Sequence, residues 1–403
     1  MTIRRCKTGF LFPFFFAVAS ILVWNTTVQT EEPAAANREP AQPVDPLHLC
    51  LPPELVAMVG IETNLYFDNV VLALNPANYA FDVICPQGRQ QAERWTWIPT
   101  AADVGEIPLQ LEVRDEQHRL VSQGKTRIKI VAAKSDTKPQ QSLLLIGDSL
   151  THASVYSQHL LDLSARFGEP ALTLVGSHST EPTLGANRHE GYGGWTAMRF
   201  ATHFQPVARQ GDYRQRGSPF LYKQADGSTR LDFRQYCEDV NQGQFPDAVT
   251  IFLGPNDIFS FNDETIAAGI EKMLTHFDQL VEMIHTASPT TQIGVMLPVP
   301  PAASQDAFGS NYAAGQTRWQ YKRNHHRLVE AMIKRYAHRT EQSLHLLATH
   351  VNLDAVHNYP TETGPANGQS DQKLVRQNNG VHPSAAGYRQ IGDTLFCWLK
   401  SLP

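Results

Sequence analysis

Four short blocks in the second half of this sequence carry residue types that hydrolytic chemistry uses. The first, LLLIGDSLTHAS (Leu143–Ser154), runs an apolar segment straight into Gly147-Asp148-Ser149-Leu150. Ser149 then stands at the carboxyl end of a buried strand and the head of the next helix. There its backbone N–H can point into a site, and the helix N-terminus favours developing negative charge. Taken alone, such a serine is equally a helix N-cap. The second block, HEGYGGWTA (His189–Ala197), has glycines that let backbone N–H groups approach a ligand, or simply make a turn. The third, FLGPNDI (Phe252–Ile258), ends another apolar run. Its Asn256 can offer an amide to an oxyanion, or the block can be an Asn-Asp turn. The fourth, NGVHPSAAGY (Asn379–Tyr388), sets His382 in a loop before a closing helix, with Pro383 at the helix start where proline is tolerated. A hydroxyl, an imidazole and inward-turned N–H donors are the parts from which nucleophilic acyl transfer is assembled.

The elements that must position these blocks alternate in type. Apolar strands are expected at Leu143–Gly147, Leu172–Gly176, Ala248–Gly254 and Ile293–Val299, with a weaker one at Leu344–Leu353. Near-continuous apolar strands mean that both sheet faces are covered. Helices are expected at Thr265–Ala287, with Ile266, Ile270, Leu274, Phe277, Val281 and Ile284 on one stripe, at Arg318–Arg339, and at Ser384–Leu399. The expected fold class is α/β, a doubly wound, flavodoxin-like parallel sheet over residues 142–403. In such sheets ligands sit beyond the carboxyl ends of the strands, which is where the first and third blocks fall. The helix from Arg318 carries seven basic residues; it reads as a solvated face, with a groove for an anionic polymer as the alternative.

Residues 50–133 have a different pattern. Val70–Leu74, Tyr79–Cys85, Ile107–Asp115 and Thr126–Ala132 are short runs, several alternating in period two and separated by turn residues. They predict a small all-β sandwich preceding the sheet, with residues 134–141 as a polar linker. Trp95 and Trp97 read as sandwich core rather than as a sugar-binding platform.

At the N-terminus, Arg4, Arg5 and Lys7 precede an uncharged apolar run, Gly9–Trp24. The run is shorter than the roughly 20 residues that span a bilayer, so residues 1–30 read as an export signal, with an uncleaved anchor as the alternative. Residues 31–49 form a Pro/Ala-rich linker. Without its first 30 residues the chain has 31 basic and 39 acidic side chains. That balance argues against a nucleic-acid partner. Export permits disulfides: Cys50 and Cys85 can pair, or they can be buried thiols. No cysteine has metal-ligand spacing, and no metal or cofactor is expected.

In their order and placement the four blocks resemble those of the GDSL/SGNH hydrolases, over residues 142–403. HEGYGGWT and HPSAAGYRQIGD are similar to the acetylxylan-esterase-like branch, and DVGEIPLQLEVRDEQHRLVSQGKTRIKIV resembles the last strands of immunoglobulin-like modules. The resemblance implies a serine esterase. Ser149 would be the nucleophile and His382 the base, with Ser149 N–H, Gly194 N–H and Asn256 stabilising the oxyanion. One position departs from the pattern. The family usually has aspartate three residues before the histidine, where this chain has Asn379. Three outcomes stand: a Ser–His dyad, with Asn379 able to accept from the imidazole; a distant carboxylate, Asp354 or Asp371, in its place; or a slow or inactive protein.

Long segments at 196–244 and 300–324 exceed ordinary connections and are candidate binding loops. Trp195, Tyr312 and Trp319 are the expected substrate contacts, with Gln305 and Tyr321 as further candidates. The expected function is an exported esterase acting on small esters or acetylated polysaccharide. The alternatives are a lipid or aryl esterase, a thioesterase, and a non-catalytic carbohydrate-binding protein. A membrane partner enters only if the N-terminal apolar segment is retained.

Overall fold

Short alternating segments after residue 50 can bury their apolar faces only by stacking in layers. In the computed structural model, which describes residues 46–134, 140–180, 185–313, 315–339 and 342–403, they form two sheets. One runs β1 (Glu54–Met58), β7 (Leu120–Val131), β6 (Gly105–Arg114), β3 (Ala80–Ile84); the other runs β2 (Thr63–Tyr66), β5 (Arg94–Trp97), β4 (Arg89–Gln90). Leu55, Leu65, Leu109, Leu111, Val113, Ile128 and Ile130 fill the space between them. Trp95 is 2% exposed and its indole Nε1 donates to the Gln87 carbonyl at 3.0 Å. It is core, as its sequence context suggests, and Trp97 packs against it.

Val70–Leu74 is not a strand. Phe67–Val70 makes one helical turn, α1, and Leu72 N–H then bonds to the Leu47 carbonyl at 2.8 Å. The segment is apolar because Val70 and Val71 are buried, not because it joins a sheet. The expected export segment, residues 31–45 of the first expected linker and residues 135–139 of the second lie outside the described residues, and Gln140 and Gln141 open a strand rather than close a linker.

The second half alternates strands with helices. The sheet contains β8 (Gln140–Gly147), β9 (Ala171–Val175), β10 (Glu190–Gly191), β13 (Ala248–Phe252), β14 (Gln292–Met296) and β15 (Leu344–Leu347). Hairpins β11 (Leu221–Lys223)–β12 (Thr229–Leu231) and β16 (Thr361–Pro365)–β17 (Lys373–Gln377) project from it. Every pairing in the main sheet is parallel. The order is β9, β8, β13, β14, β15, with β10 continuing beside the upper end of β8. The chain steps outward from β8 to β9 and then back across to β13. The crevice at the carboxyl end of β8 is therefore a topological switch point.

Alternate residues of β8 serve opposite layers, the period-two rule for a strand. Leu143 and Leu145 pack with Leu160 and Leu163 of α3 (Val155–Phe167) and with Ile391 and Leu395 of α11 (Ala385–Ser401). Leu144 and Ile146 pack with Phe277 and Ile284 of α7 (Ile266–Ala287) and with Leu328 and Met332 of α9 (Arg318–Tyr336). This is the doubly wound arrangement the apolar strands predict. The weaker strand ends early, because Thr349–Asn352 turns into a short helix, α10. The basic residues of α9 divide: Lys334 and Arg335 lie exposed, as a solvated face predicts, while others are drawn into ion pairs rather than lining a groove. Arg318 and Lys322 pair with Asp68, Arg323 with Asp263, and Arg335 with Asp278.

The sandwich and the α/β part share buried contacts, and Asp45–Pro403 forms one compact unit. Asn69 Nδ2 donates to the carbonyls of His350 (2.9 Å) and Leu353 (2.8 Å), and Asn352 Oδ1 accepts from both N–H groups of Asn64. Cys50 lies against His326, its Sγ 3.2 Å from Nε2, and is not joined to Cys85.

Burial holds the imidazoles at this junction neutral: His325 falls to about 3, and His326 and His350 to about 4. A histidine depressed in the folded state contributes full stability above its unfolded value near 6.5, and that contribution declines as pH falls toward 4. Each such imidazole should remove at most about 1.4 kcal/mol per pH unit in that window. Urea unfolding midpoints between pH 7.5 and 5 are expected to fall less steeply in His350→Gln than in the wild type. Equal slopes would contradict the assignment.

Candidate active site

Gly147-Asp148-Ser149 leaves the sheet at the switch point and begins a single helical turn, α2 (Ser149–His152). Asp148 caps it, its Oδ1 accepting Leu150 N–H at 2.9 Å. The turn is too short for the dipole of a long helix, so what it offers a substrate is the Ser149 N–H itself. Ser149 and His382 are both partly exposed. Ser149 Oγ lies 2.8 Å from His382 Nε2, so the hydroxyl donates to the imidazole in the tautomer protonated on Nδ1.

The glycine block is zipped onto the same strand end. Glu190 and Gly191 (β10) pair with Ile146 and Gly147 of β8, and Tyr192 N–H bonds to the Gly147 carbonyl at 3.0 Å. This carries Gly193 and Gly194 alongside Ser149. Gly194 has φ +76°, a conformation that side-chain-bearing residues rarely adopt. Neither the Ser149 N–H nor the Gly194 N–H has a hydrogen-bond partner among the described residues.

Asn256 and Asp257 lie on α6 (Pro255–Ile258), directly after β13. Asn256 Nδ2 donates to Asp148 Oδ2 at 3.1 Å and to the Trp195 carbonyl at 3.2 Å, so both amide hydrogens are engaged. The Asp257 carboxylate accepts Ala197 N–H at 3.1 Å, at the head of α4 (Ala197–Thr202). The third block therefore clamps the first and second together. Burial pushes both carboxyls, Asp148 and Asp257, up to about 7, and for Asp148 the neighbouring Asp257 adds to the rise.

Asn379 does not orient the imidazole. Its Oδ1 accepts the backbone N–H groups of His382 (2.9 Å) and Val381 (3.1 Å), shaping the loop instead. His382 Nδ1 has no partner among the described residues. Neither proposed substitute carboxylate pairs with it. Asp354 binds His357 at 3.0 Å, and Asp371 is exposed at the tip of the β16–β17 hairpin. Burial alone moves His382, downward, with no acidic neighbour opposing it.

The expected substrate contacts divide. Trp195 is fully buried between Tyr192 and Phe200 with Arg199 over its ring, and is core rather than a contact. Tyr321 is 2% exposed, and Gln305, on α8 (Gln305–Tyr312), accepts the Arg318 N–H at the start of α9. Tyr321 is structural, while Gln305 is exposed and helps begin the helix. Tyr312 is half-buried against Phe259, which follows α6, and against Phe308, which underlies Gly380 of the His382 loop. Trp319 is half-buried on α9, and nothing ties it to Ser149.

Sequence reasoning missed the groups behind the glycine block. Glu190, fully buried, accepts from Ser177 N (2.7 Å), Ser177 Oγ (3.0 Å), Tyr236 Oη (2.7 Å) and Tyr192 Oη. A second Ser–His pair lies close by, Ser154 Oγ to His189 Nε2 at 2.8 Å. That serine is 8% exposed and that histidine fully buried, and His189 Nδ1 accepts Gly191 N–H at 3.0 Å. It braces the block: with Nδ1 accepting, Nε2 carries the hydrogen and donates to Ser154, so this imidazole is not placed to take a proton from that serine. Glu190 sits inside the second block, so the motif held the signal. His178, which packs here, and Tyr213, which packs beside the block on His152 and Tyr192, carry no sequence pattern.

The chain matches the family described as GDSL-like Lipase/Acylhydrolase over residues 145–390. No curated protein matches it. Among solved structures it is similar to the Clostridium thermocellum family 3 carbohydrate esterase: 17% identity, 64% of this chain and 94% of that one, TM-score 0.39. It is also similar to a carbohydrate esterase family 3 protein from Talaromyces cellulolyticus: 16% identity, 64% and 96%, TM-score 0.38. A third is the acetyl xylan esterase AlAXEase: 14% identity, 65% and 100%, TM-score 0.34. At such scores the likenesses add no functional detail.

A base must be neutral to accept a proton. With burial holding His382 below its ordinary value and no carboxylate raising it, the acid limb of kcat/KM for p-nitrophenyl acetate is expected to have its midpoint below 6.5. A midpoint at or above 7 would reveal an anionic partner on Nδ1 and contradict this geometry.

Proposed function

Because the chain belongs to the GDSL-like lipase/acylhydrolase family and is a carboxylic-ester hydrolase, we propose that it is an exported carbohydrate esterase that removes O-acetyl groups through an acyl-enzyme on Ser149. The observation that carries this reading is the 2.8 Å contact between Ser149 Oγ and His382 Nε2, open to solvent and flanked by two unpartnered backbone N–H groups.

In the proposed reaction, Ser149 Oγ bonds to the ester carbonyl carbon while His382 Nε2 takes the hydroxyl proton. The carbonyl oxygen becomes an oxyanion received by the N–H groups of Ser149 and Gly194. Asn256 joins them when one amide hydrogen turns from the Trp195 carbonyl to the oxyanion. Each such donor typically lowers the barrier by about 2.7–4 kcal/mol. The carbon–oxygen bond to the alcohol then breaks, and His382 returns its proton to the departing oxygen. Water, deprotonated by the same imidazole, attacks the carbonyl carbon of acetyl-Ser149; the bond from that carbon to Oγ breaks, His382 returns the proton to Oγ, and acetate leaves. His382 works here as a dyad base without an acid behind it.

The acetyl-sugar part of the reading rests on the second and fourth blocks, which resemble the acetylxylan-esterase-like branch. The export part rests on residues 1–30; among the described residues, no helix is long and apolar enough to cross a membrane.

Hydrolysis of p-nitrophenyl acetate should exceed that of the butyrate, and Ser149→Ala should lower it about a thousandfold or more. Equal rates for wild type and Ser149→Ala would end the esterase reading, and no acetate release from acetylated xylan, pectin or algal glycans would end the carbohydrate part. Asn379→Asp keeps an acceptor for the same two N–H groups and is expected to retain or raise kcat/KM. A tenfold loss would assign Asn379 a specific hydrogen-bonding duty beyond the loop.

A further inference from the structure

Tyr213 has no part in the mechanism above, yet it touches both flanks of Ser149. Its ring centroid lies 4.6 Å from that of His152. His152 is three residues after Ser149 on the same helical turn, so the two share one face. The ring also stacks on Tyr192 at 5.9 Å and 9°. The hydroxyl reaches over the glycine pair: a Cβ on Gly193 would lie 2.9 Å from Tyr213 Oη, and Gly194 follows directly. Tyr213 is half-buried, and its hydroxyl has no hydrogen-bond partner among the described residues.

The segment between α4 and α5 (Phe233–Asn241) holds this side chain in place. Asp212 Oδ1 accepts Arg214 N–H at 3.0 Å. Arg216, 6% exposed, donates Nε to the carbonyls of Gln210 (2.9 Å) and Gly211 (3.0 Å). Gly217 N–H bonds to the Val207 carbonyl at 2.9 Å, and Ser218 N–H to the His203 carbonyl at 2.7 Å. The loop is tied on both sides of Tyr213. A phenol held this firmly, with no protein partner for its donor or acceptor among the described residues, suits a ligand group that can accept and donate in turn. A sugar hydroxyl is such a group; a simple alkyl or aryl acetate offers none beside its ester.

We infer that Tyr213 is a substrate contact that hydrogen-bonds a free hydroxyl next to the ester-bearing carbon, and so selects sugar and polyol esters over simple acetates. The assignment rests on the esterase reading above and deepens it. It also accounts for Gly193, where any side chain would strike the phenol.

The test is the ratio of kcat/KM for mono-O-acetyl xylobiose to that for p-nitrophenyl acetate. Tyr213→Phe is expected to lower this ratio roughly five- to tenfold, the loss of one neutral hydrogen bond. Gly193→Ala, whose new Cβ displaces the hydroxyl without removing it, should move the ratio in the same direction. An unchanged ratio in Tyr213→Phe overturns the inference, whatever the absolute rates. Ser149→Ala, assayed beside it on both substrates, separates the two failures. If that variant hydrolyses p-nitrophenyl acetate as the wild type does, the esterase reading falls and this inference with it. If activity depends on Ser149 and the ratio stays fixed, only the role of Tyr213 falls.

Discussion

Two residues 233 positions apart in the chain must meet within 2.8 Å for Ser149 to share its proton with His382. The sheet supplies one half of that encounter. Strand β8 is buried on both faces and paired on both edges, so its end is fixed, and Ser149 follows it by two residues. The other half comes from a loop held by hydrogen bonds and by the packing of Val381 and Gly380 against the core. Asn379 shapes the turn, Gly380 O accepts from Ala302 N–H at 3.1 Å, and Gln377 ties the loop's approach to the carbonyls of Ala355 and Val356. The serine stands on a rigid element and the histidine on a braced one.

Electrostatics around the pair follow from burial. Asp148 and Asp257, packed behind the nucleophile, are pushed up to about 7. Burial thus disfavours a full charge behind Ser149, which on the proposed mechanism spares a developing oxyanion from repulsion. On the proposed mechanism, the donors toward that oxyanion are backbone N–H groups, whose position does not depend on protonation. On the same proposed mechanism, the imidazolium of His382 forms without an acid behind it and is stabilised by solvent and dipoles. A dyad is chemically weaker than a triad, and on this proposal the closely set N–H donors offset it.

Much of this architecture was legible in the residues. Continuous apolar strands ending in Gly-Asp-Ser and Gly-Pro-Asn-Asp announce a parallel sheet with chemistry at its carboxyl edge. The α7 stripe from Ile266 to Ile284 is buried as its spacing predicts. What escaped was long-range or polar. Nothing local to Asn64 points to Asn352, 288 residues away, so the docking of the sandwich could not be read. Trp195 lies in a glycine-rich block and reads as exposed, yet the α4 turn directs it into the core. Asn379 occupies the family's acid position, and its backbone-capping role depends on loop geometry that residue type does not encode. Tyr213 belongs to no periodic pattern, and only the fold brings it to the glycine pair.

The central claim is that one serine is activated by one imidazole while the buried Ser154–His189 pair is not. Covalent trapping with a fluorophosphonate, read by mass spectrometry of the modified peptide, tests it directly. The account predicts single modification at Ser149, slowed at least about a hundredfold in His382→Ala. Labelling at Ser154, or labelling of Ser149 at the same rate without the imidazole, would contradict it.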